Sequence, residues 1–310
     1  MAGKKLQLVL TGFALAAAGV LWPALAVGKG QATPTCLGKA ATIVGTTGND
    51  TITGTGGDDV IVGLGGDDTI DGGLGNDTIC GNAGNDDLRG SDGNDSFEGG
   101  AGDDSIAGQV GSDTVSYAKA PAGVMVDLAG GIATGDGTDS LAGIENAVGS
   151  AFGDLLKAEL TGSVLSGGAS DDNLQGRDGN DTLNGGPGDE ILDGGLGNDT
   201  INGGPGKDLL TYTHSPAGVT VVLIAHTATG GYGSDTLTGI EDVDGSNFAD
   251  SLTGDSGPNV VFSGKGLDFL SGLGGNDFLV GDDAPASIDG GDGTDVCSVA
   301  ASEKINCEGS

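Results

Sequence analysis

Basic and aromatic side chains are what this sequence has least of. Eleven Lys and Arg stand against 45 Asp and Glu, and aromatic residues make up 4% of 310 residues. The first scarcity argues against a surface for nucleic acid or anionic lipid, both of which need clustered cations. The second argues against an ordinary globular core. With a formal charge of −34 it would leave most chains disordered, because too little apolar surface is available to offset the entropy of ordering the backbone. Histidine is limited to His214 and His226, both expected to be solvated, so no H-E-x-x-H pair exists. No serine stands in G-x-S-x-G. The Gly-x-Gly strings run on to Asp where a dinucleotide loop needs its third glycine. Almost every residue after Ala41 belongs to a repeat, which leaves no room for a catalytic domain. The chain is expected not to be an enzyme.

Long apolar runs are confined to the beginning. Lys4 and Lys5 precede an apolar stretch from Leu6 to Leu21 and the small-residue site Ala24-Leu25-Ala26, the pattern of a secretory leader cut after Ala26. Its loss would leave nine basic and 45 acidic residues, near −36, on a chain with no later membrane segment. Four cysteines in an exported chain favour disulfides. Three connectivities are open. Because Cys36 and Cys80 lie near the start and Cys297 and Cys307 near the end, the expected pairs are Cys36 with Cys80 and Cys297 with Cys307.

What is abundant is periodic. Glycine recurs at every ninth position from Gly45 to Gly108, and again at Gly48, Gly57, Gly66, Gly75, Gly84, Gly93, Gly102 and Gly111. Aspartate holds positions Asp50, Asp59, Asp68, Asp77, Asp86, Asp95, Asp104 and Asp113, with an apolar residue two places beyond each, from Ile52 to Val115. The unit is G-x-x-G-x-D-x-U-x, where U is apolar, and a fixed short period is the mark of a solenoid. Glycine lets a six-residue loop turn tightly and aim its carbonyls at one point. The apolar residue occupies a three-residue strand with one side chain inward. Stacked strands then make two parallel sheets with an apolar ladder between them. The aspartates stack at strand spacing, where two charges ~5 Å apart repel by roughly 0.8 kcal/mol even in water. Lys and Arg are too few to neutralise them. A hard divalent cation fits, and calcium fits best, since it takes six to eight oxygens from carboxylates and carbonyls at about 2.3 to 2.6 Å.

The stretch Asp59-Val-Ile-Val-Gly-Leu-Gly-Gly-Asp-Asp68-Thr-Ile-Asp-Gly-Gly-Leu-Gly-Asn-Asp77 resembles the signature of the RTX, or haemolysin-type calcium-binding, repeat family. The resemblance implies an all-β fold, a right-handed parallel β-roll with two nonapeptides per coil. Each calcium would lie between the loop of one repeat and the loop two repeats on. That pairs Asp50 with Asp68, Asp59 with Asp77, Asp68 with Asp86, Asp77 with Asp95, Asp86 with Asp104 and Asp95 with Asp113.

The period stops after Ser116 and resumes twice. In a second block the ligand position holds Asp172, Asp181, Glu190, Asp199 and Asp208, with loop glycines Gly179, Gly188, Gly197 and Gly206. In a third, Asn259 replaces Asp, and Asp268, Asp277 and Asp295 remain. Between blocks lies a longer repeat: Tyr117 matches Tyr212, Pro121-Ala-Gly-Val matches Pro216-Ala-Gly-Val, and Asp139-Ser-Leu-Ala-Gly-Ile-Glu145 matches Asp235-Thr-Leu-Thr-Gly-Ile-Glu241. These segments are expected to be wider coils interrupting but continuing the solenoid, rather than looped-out insertions. The organisation is then a leader at 1–26, an N-terminal cap at 27–44, and a first block at 45–116. A long segment at 117–148 leads to a second block at 149–211, degenerate at its start. A long segment at 212–244, a degenerate third block at 245–298 and a C-terminal cap at 299–310 complete it.

About ten calcium ions are expected, with occupancy falling towards the C-terminus and folding coupled to binding. The expected role is a secreted calcium-binding module, structural or adhesive, with an unidentified cell-surface or matrix partner, no nucleic acid and no membrane after leader cleavage. The alternative is an accessory or remnant module of an RTX-type secreted hydrolase or toxin.

Overall fold

A computed structural model describes residues 33–282, 287–299 and 305–307. The leader expected at 1–26 lies outside the described residues. The apolar position of each repeat dictates the architecture. Ile61, Ile70, Ile79, Leu88, Phe97, Ile106 and Val115 are at most 1% exposed, and the ladder continues through Leu156, Leu165, Leu174, Leu183, Leu192, Ile201 and Leu210. Each such burial stabilises by about 1.5–3 kcal/mol. One side chain per short strand makes no core alone, so the strands stack until a continuous one forms.

They stack into two sheets of 15 and 16 strands. Consecutive strands alternate between sheets, and within a sheet each pairs in parallel with the strand 18 residues on: Thr51 with Thr69, Thr69 with Asp87, Val60 with Thr78. Two nonapeptides therefore make one coil of a parallel β-solenoid. Only one helical element, the 3-10 turn Leu223–Ala225, occurs among the described residues.

Strand length differs from the three residues expected. In the first block six strands, Val60–Gly65 to Ser105–Val110, each have six residues, because the ladder runs on through the start of the next loop, as in Leu64 with Asn82 and Gly65 with Ala83. Strands of the second block have three residues, for example Thr182–Asn184.

The two long segments continue the solenoid, and the widening expected of them takes a specific form. In each, one sheet passes straight through: Thr114–Ser116 pairs in parallel with Asn146–Val148, and Leu209–Thr211 with Asp242–Asp244. The other sheet takes up a three-stranded antiparallel meander. In the first segment it is Met125–Asp127, Ile132–Thr134 and Thr138–Ala142, whose last strand pairs with Ser105–Val110 and whose first pairs with Leu155–Lys157. In the second it is Val219–Val222, Thr227–Gly230 and Gly233–Thr238, and it lies in the opposite sheet.

Both expected disulfides form. Cys36–Cys80 ties the hairpin of Thr35–Cys36 and Lys39–Ala40 to the strand Thr78–Ala83, and Cys297–Cys307 closes the other end. Cys36, Cys80 and Val62 form a small second apolar cluster.

Candidate metal centres

The ladder that stacks the strands also stacks the aspartates. The backbone N–H of Asp50, Asp59, Asp68, Asp77, Asp86 and Asp95 donates to Oδ1 of the aspartate one coil on, from Asp68 to Asp113, at 2.7–2.8 Å. The pattern recurs onto Asp172, Asp181, Asp199, Asp208, Asp268, Asp277 and Asp295 at 2.6–3.0 Å. A second ladder runs the other way one residue earlier: the N–H of Asp67, Asn76, Asn85 and Asn94 donates to the side chain of Asn49, Asp58, Asp67 and Asn76. This explains the Asp or Asn that precedes most ligand positions; Ser112, Lys207, Leu267 and Thr294 precede the others.

Oδ1 is thus satisfied and Oδ2 is not. Among the described residues, fourteen carboxylates of the two columns keep a buried oxygen with no hydrogen-bond partner: Asp68, Asp77, Asp86, Asp95, Asp104, Asp113, Asp172, Asp181, Glu190, Asp199, Asp208, Asp268, Asp277 and Asp295. A buried carboxylate oxygen without a donor is costly, and in a column of like charges the cost accumulates. The first glycine of each repeat lies against its own aspartate, so that a Cβ on Gly63, Gly72 or Gly81 would strike Oδ2 of Asp68, Asp77 or Asp86. Glycines at the fourth position turn the loop: Gly66, Gly75, Gly84, Gly93, Gly102, Gly111, Gly179, Gly188 and Gly197 hold φ between +101° and +158°, whereas Gly48, Gly57 and Gly206 do not. At Gly93 a Cβ would also meet the carbonyl of Gly75 in the preceding coil, so no other residue fits.

Burial disfavours the charged form of these groups. It pushes Asp68 and Asp95 up to about 6 and Asp104, Asp172, Asp181 and Asp199 up to about 7, against backbone N–H donation that lowers them. Asp77, Asp86 and Asp113 rise for the same reason, and Glu190 reaches about 8 through burial and its neighbour Asp208. A divalent cation reverses that balance. No three His, Cys, Asp or Glu side chains converge on one point among the described residues. Each centre therefore needs carbonyl oxygens beside its carboxylates, which is the donor set of a hard, oxygen-seeking ion and not of zinc.

Two of the expected ligands differ from the rest. Asp50 Oδ2 accepts from the N–H and hydroxyl of Thr46 at 2.5 and 2.9 Å, and Asp59 Oδ2 from those of Thr55 at 2.6 and 2.8 Å. The structure also adds column members that the sequence reading missed. Asp139 and Asp235 accept the N–H of Asp104 and Asp199, Glu145 and Glu241 that of Asp113 and Asp208, and Asp154 and Asp250 that of Val124 and Val219. The signal was present: Gly230-Gly-Tyr-Gly-Ser-Asp235-Thr-Leu-Thr238 is a full nonapeptide, and Thr134 to Ala142 lacks only the first glycine.

The fold and its carboxylate columns define a cation-binding β-solenoid built of nonapeptides. The model of the RTX calcium-binding nonapeptide repeat family matches residues 44–79, 81–115, 163–189, 184–212 and 244–279, slightly more than half of the chain. The protein belongs to that family. No curated protein matches it. The matches omit both meanders, including the nonapeptides hidden in them.

Proposed function

We propose that this is a secreted protein whose solenoid folds on binding calcium and then serves as a stiff extracellular module, structural or adhesive, without catalysis. The observation that carries this is the set of fourteen buried carboxylates with an unpartnered oxygen. The ligands are those fourteen residues, with carbonyls of the glycine loops completing each shell. One ion at each unpartnered oxygen gives six centres in the first block, from Asp68 to Asp113. Fourteen calcium ions would bring about +28, most of the charge of the chain after leader removal. Export is supported by Lys4-Lys5, the apolar run and Ala24 to Ala26, and by two disulfides, which persist in oxidising compartments.

Circular dichroism of the full chain at neutral pH tests the coupling. A coil-like spectrum in chelator that turns to β on millimolar calcium is expected. An unchanged β spectrum on chelation, with no ion bound at equilibrium dialysis, would sink the reading.

A further inference from the structure

The unpartnered oxygens are not spread evenly along the columns. Each block opens with two residues satisfied by their own loop, one per column, through the N–H four residues earlier. In the first block these are Asp50 and Asp59, described above. In the second, Ser150 N–H donates to Asp154 at 2.5 Å and Glu159 N–H to Ser163 Oγ at 3.1 Å. In the third, Ser246 N–H donates to Asp250 at 2.7 Å and Asp255 N–H to Asn259 Oδ1 at 2.9 Å. Hydroxyls of Ser150 and Ser246 satisfy the other oxygen of Asp154 and Asp250 at 2.8 and 2.7 Å.

The first two blocks also close in the same way as each other. Asp139 receives the N–H of Asp104 on Oδ1, as an interior aspartate does, but its Oδ2 accepts the hydroxyl of Tyr117 at 2.7 Å. Asp235 repeats this with Asp199 and Tyr212, also at 2.7 Å. Both tyrosines are buried, at 3% and 1% exposed, so the hydroxyls have been carried into the roll. A buried phenol needs an acceptor and a buried carboxylate needs a donor, and each meets the other's requirement. By sequence Asp235 sits in a full nonapeptide; by geometry its free oxygen is already taken.

We propose that Tyr117 and Tyr212 stand in the cation's place at Asp139 and Asp235, and that the meanders are calcium-free junctions dividing the protein into three separately loading arrays. This rests on the calcium reading above. The arrays hold six, five and three unpartnered column carboxylates, in the order of the chain. In a solenoid, coupling passes between neighbouring coils. A junction packed by apolar side chains and hydrogen bonds, with no cation of its own, has no loading to pass on. It therefore transmits little of one array's calcium dependence to the next.

Equilibrium dialysis to count ions, together with hydrogen exchange read by peptide along a calcium titration of the full chain, tests this. Tyr117→Phe frees Asp139 Oδ2 and should raise the ion count by one; an unchanged count overturns the substitution of hydroxyl for cation. Asp139→Asn should leave the count as it is, and a fall by one overturns the same point. Asp86→Ala should remove ions and shift the calcium midpoint of residues 45–116, while that of residues 163–211 stays within about twofold, as for sites that do not interact. Midpoints of both blocks moving together would overturn the division into arrays while leaving calcium binding intact. A wild-type chain that binds no calcium overturns the underlying reading instead.

Discussion

The first and third repeat blocks are built on one plan and differ in how much of it they retain. In the first, six-residue strands carry the ladder through the loops, and the position before each core residue is polar in all of them but Val60–Gly65, as at Thr69, Asp87 and Ser105. In the third, strands such as Phe269–Ser271 have three residues, and Phe262, Phe269 and Phe278 are 40%, 64% and 40% exposed. The first block has six unpartnered carboxylates in its columns and the third has three. Both keep the apolar column intact, through Leu252, Val261, Leu270, Leu279 and Ile288. On the calcium reading proposed above, the core sets the fold, while the loops set how far that fold depends on a cation.

The largest expected effect is that of pH in the absence of calcium. Every unpartnered aspartate of the first block has a pKa raised by burial, to about 6 at Asp68 and Asp95 and about 7 at Asp104. The unfolded value is near 3.9. Because the folded values lie above it, stability is fully present below about pH 4 and is lost as pH rises through about 6 to 7. In chelator, residues 45–116 should thus be protected from exchange near pH 4 and unprotected at pH 8. The same excursion should affect the third block less. Equal losses in both blocks would break the comparison.

Next comes the contribution of the two disulfides. Cys36–Cys80 spans 44 residues and Cys297–Cys307 spans 10. Loop-closure entropy then predicts that removing the first by serine substitution costs about 4 kcal/mol and the second about 3 kcal/mol. Urea denaturation at saturating calcium measures both. A larger loss from the C-terminal pair would reverse the expected order of the two ends.

The smallest effect is local. Leu273, in the third block, holds φ of 73°, a conformation that a side chain with Cβ adopts at a cost. Leu273→Gly should raise stability by about 1 kcal/mol, visible as a later urea midpoint for peptides of that block alone.

Much of this was legible in the sequence because its period is short and local. A glycine that must turn a loop, an aspartate that must stack and an apolar residue that must face inward each leave a column. The solenoid and the aspartate positions followed from those columns, and the two cysteine pairs from their places near either end of the chain. The meanders did not, because their direction depends on pairing between strands distant in sequence. Val124 to Leu128 reads as β-rich whether it pairs with the previous coil or the next. The six-residue strands of the first block were hidden for a related reason. Leu64, Asn82 and Ser91 hold φ of 85°, 77° and 80°, and the ladder runs past them nonetheless. Asp139 and Asp235 are masked in the sequence because the nonapeptides that hold them lie inside the longer repeat, apart from the three blocks.

The placement of the two meanders bears on the length of the walls. Each replaces one strand with three, lengthening its sheet by two strand spacings, about 9.5 Å, while the facing sheet gains nothing. Had both lain in one sheet, that wall would have outgrown the other by roughly 19 Å and the rod would have curled. They lie in opposite sheets. Like tapered courses laid on alternate sides of a brickwork column, the second evens out what the first has added.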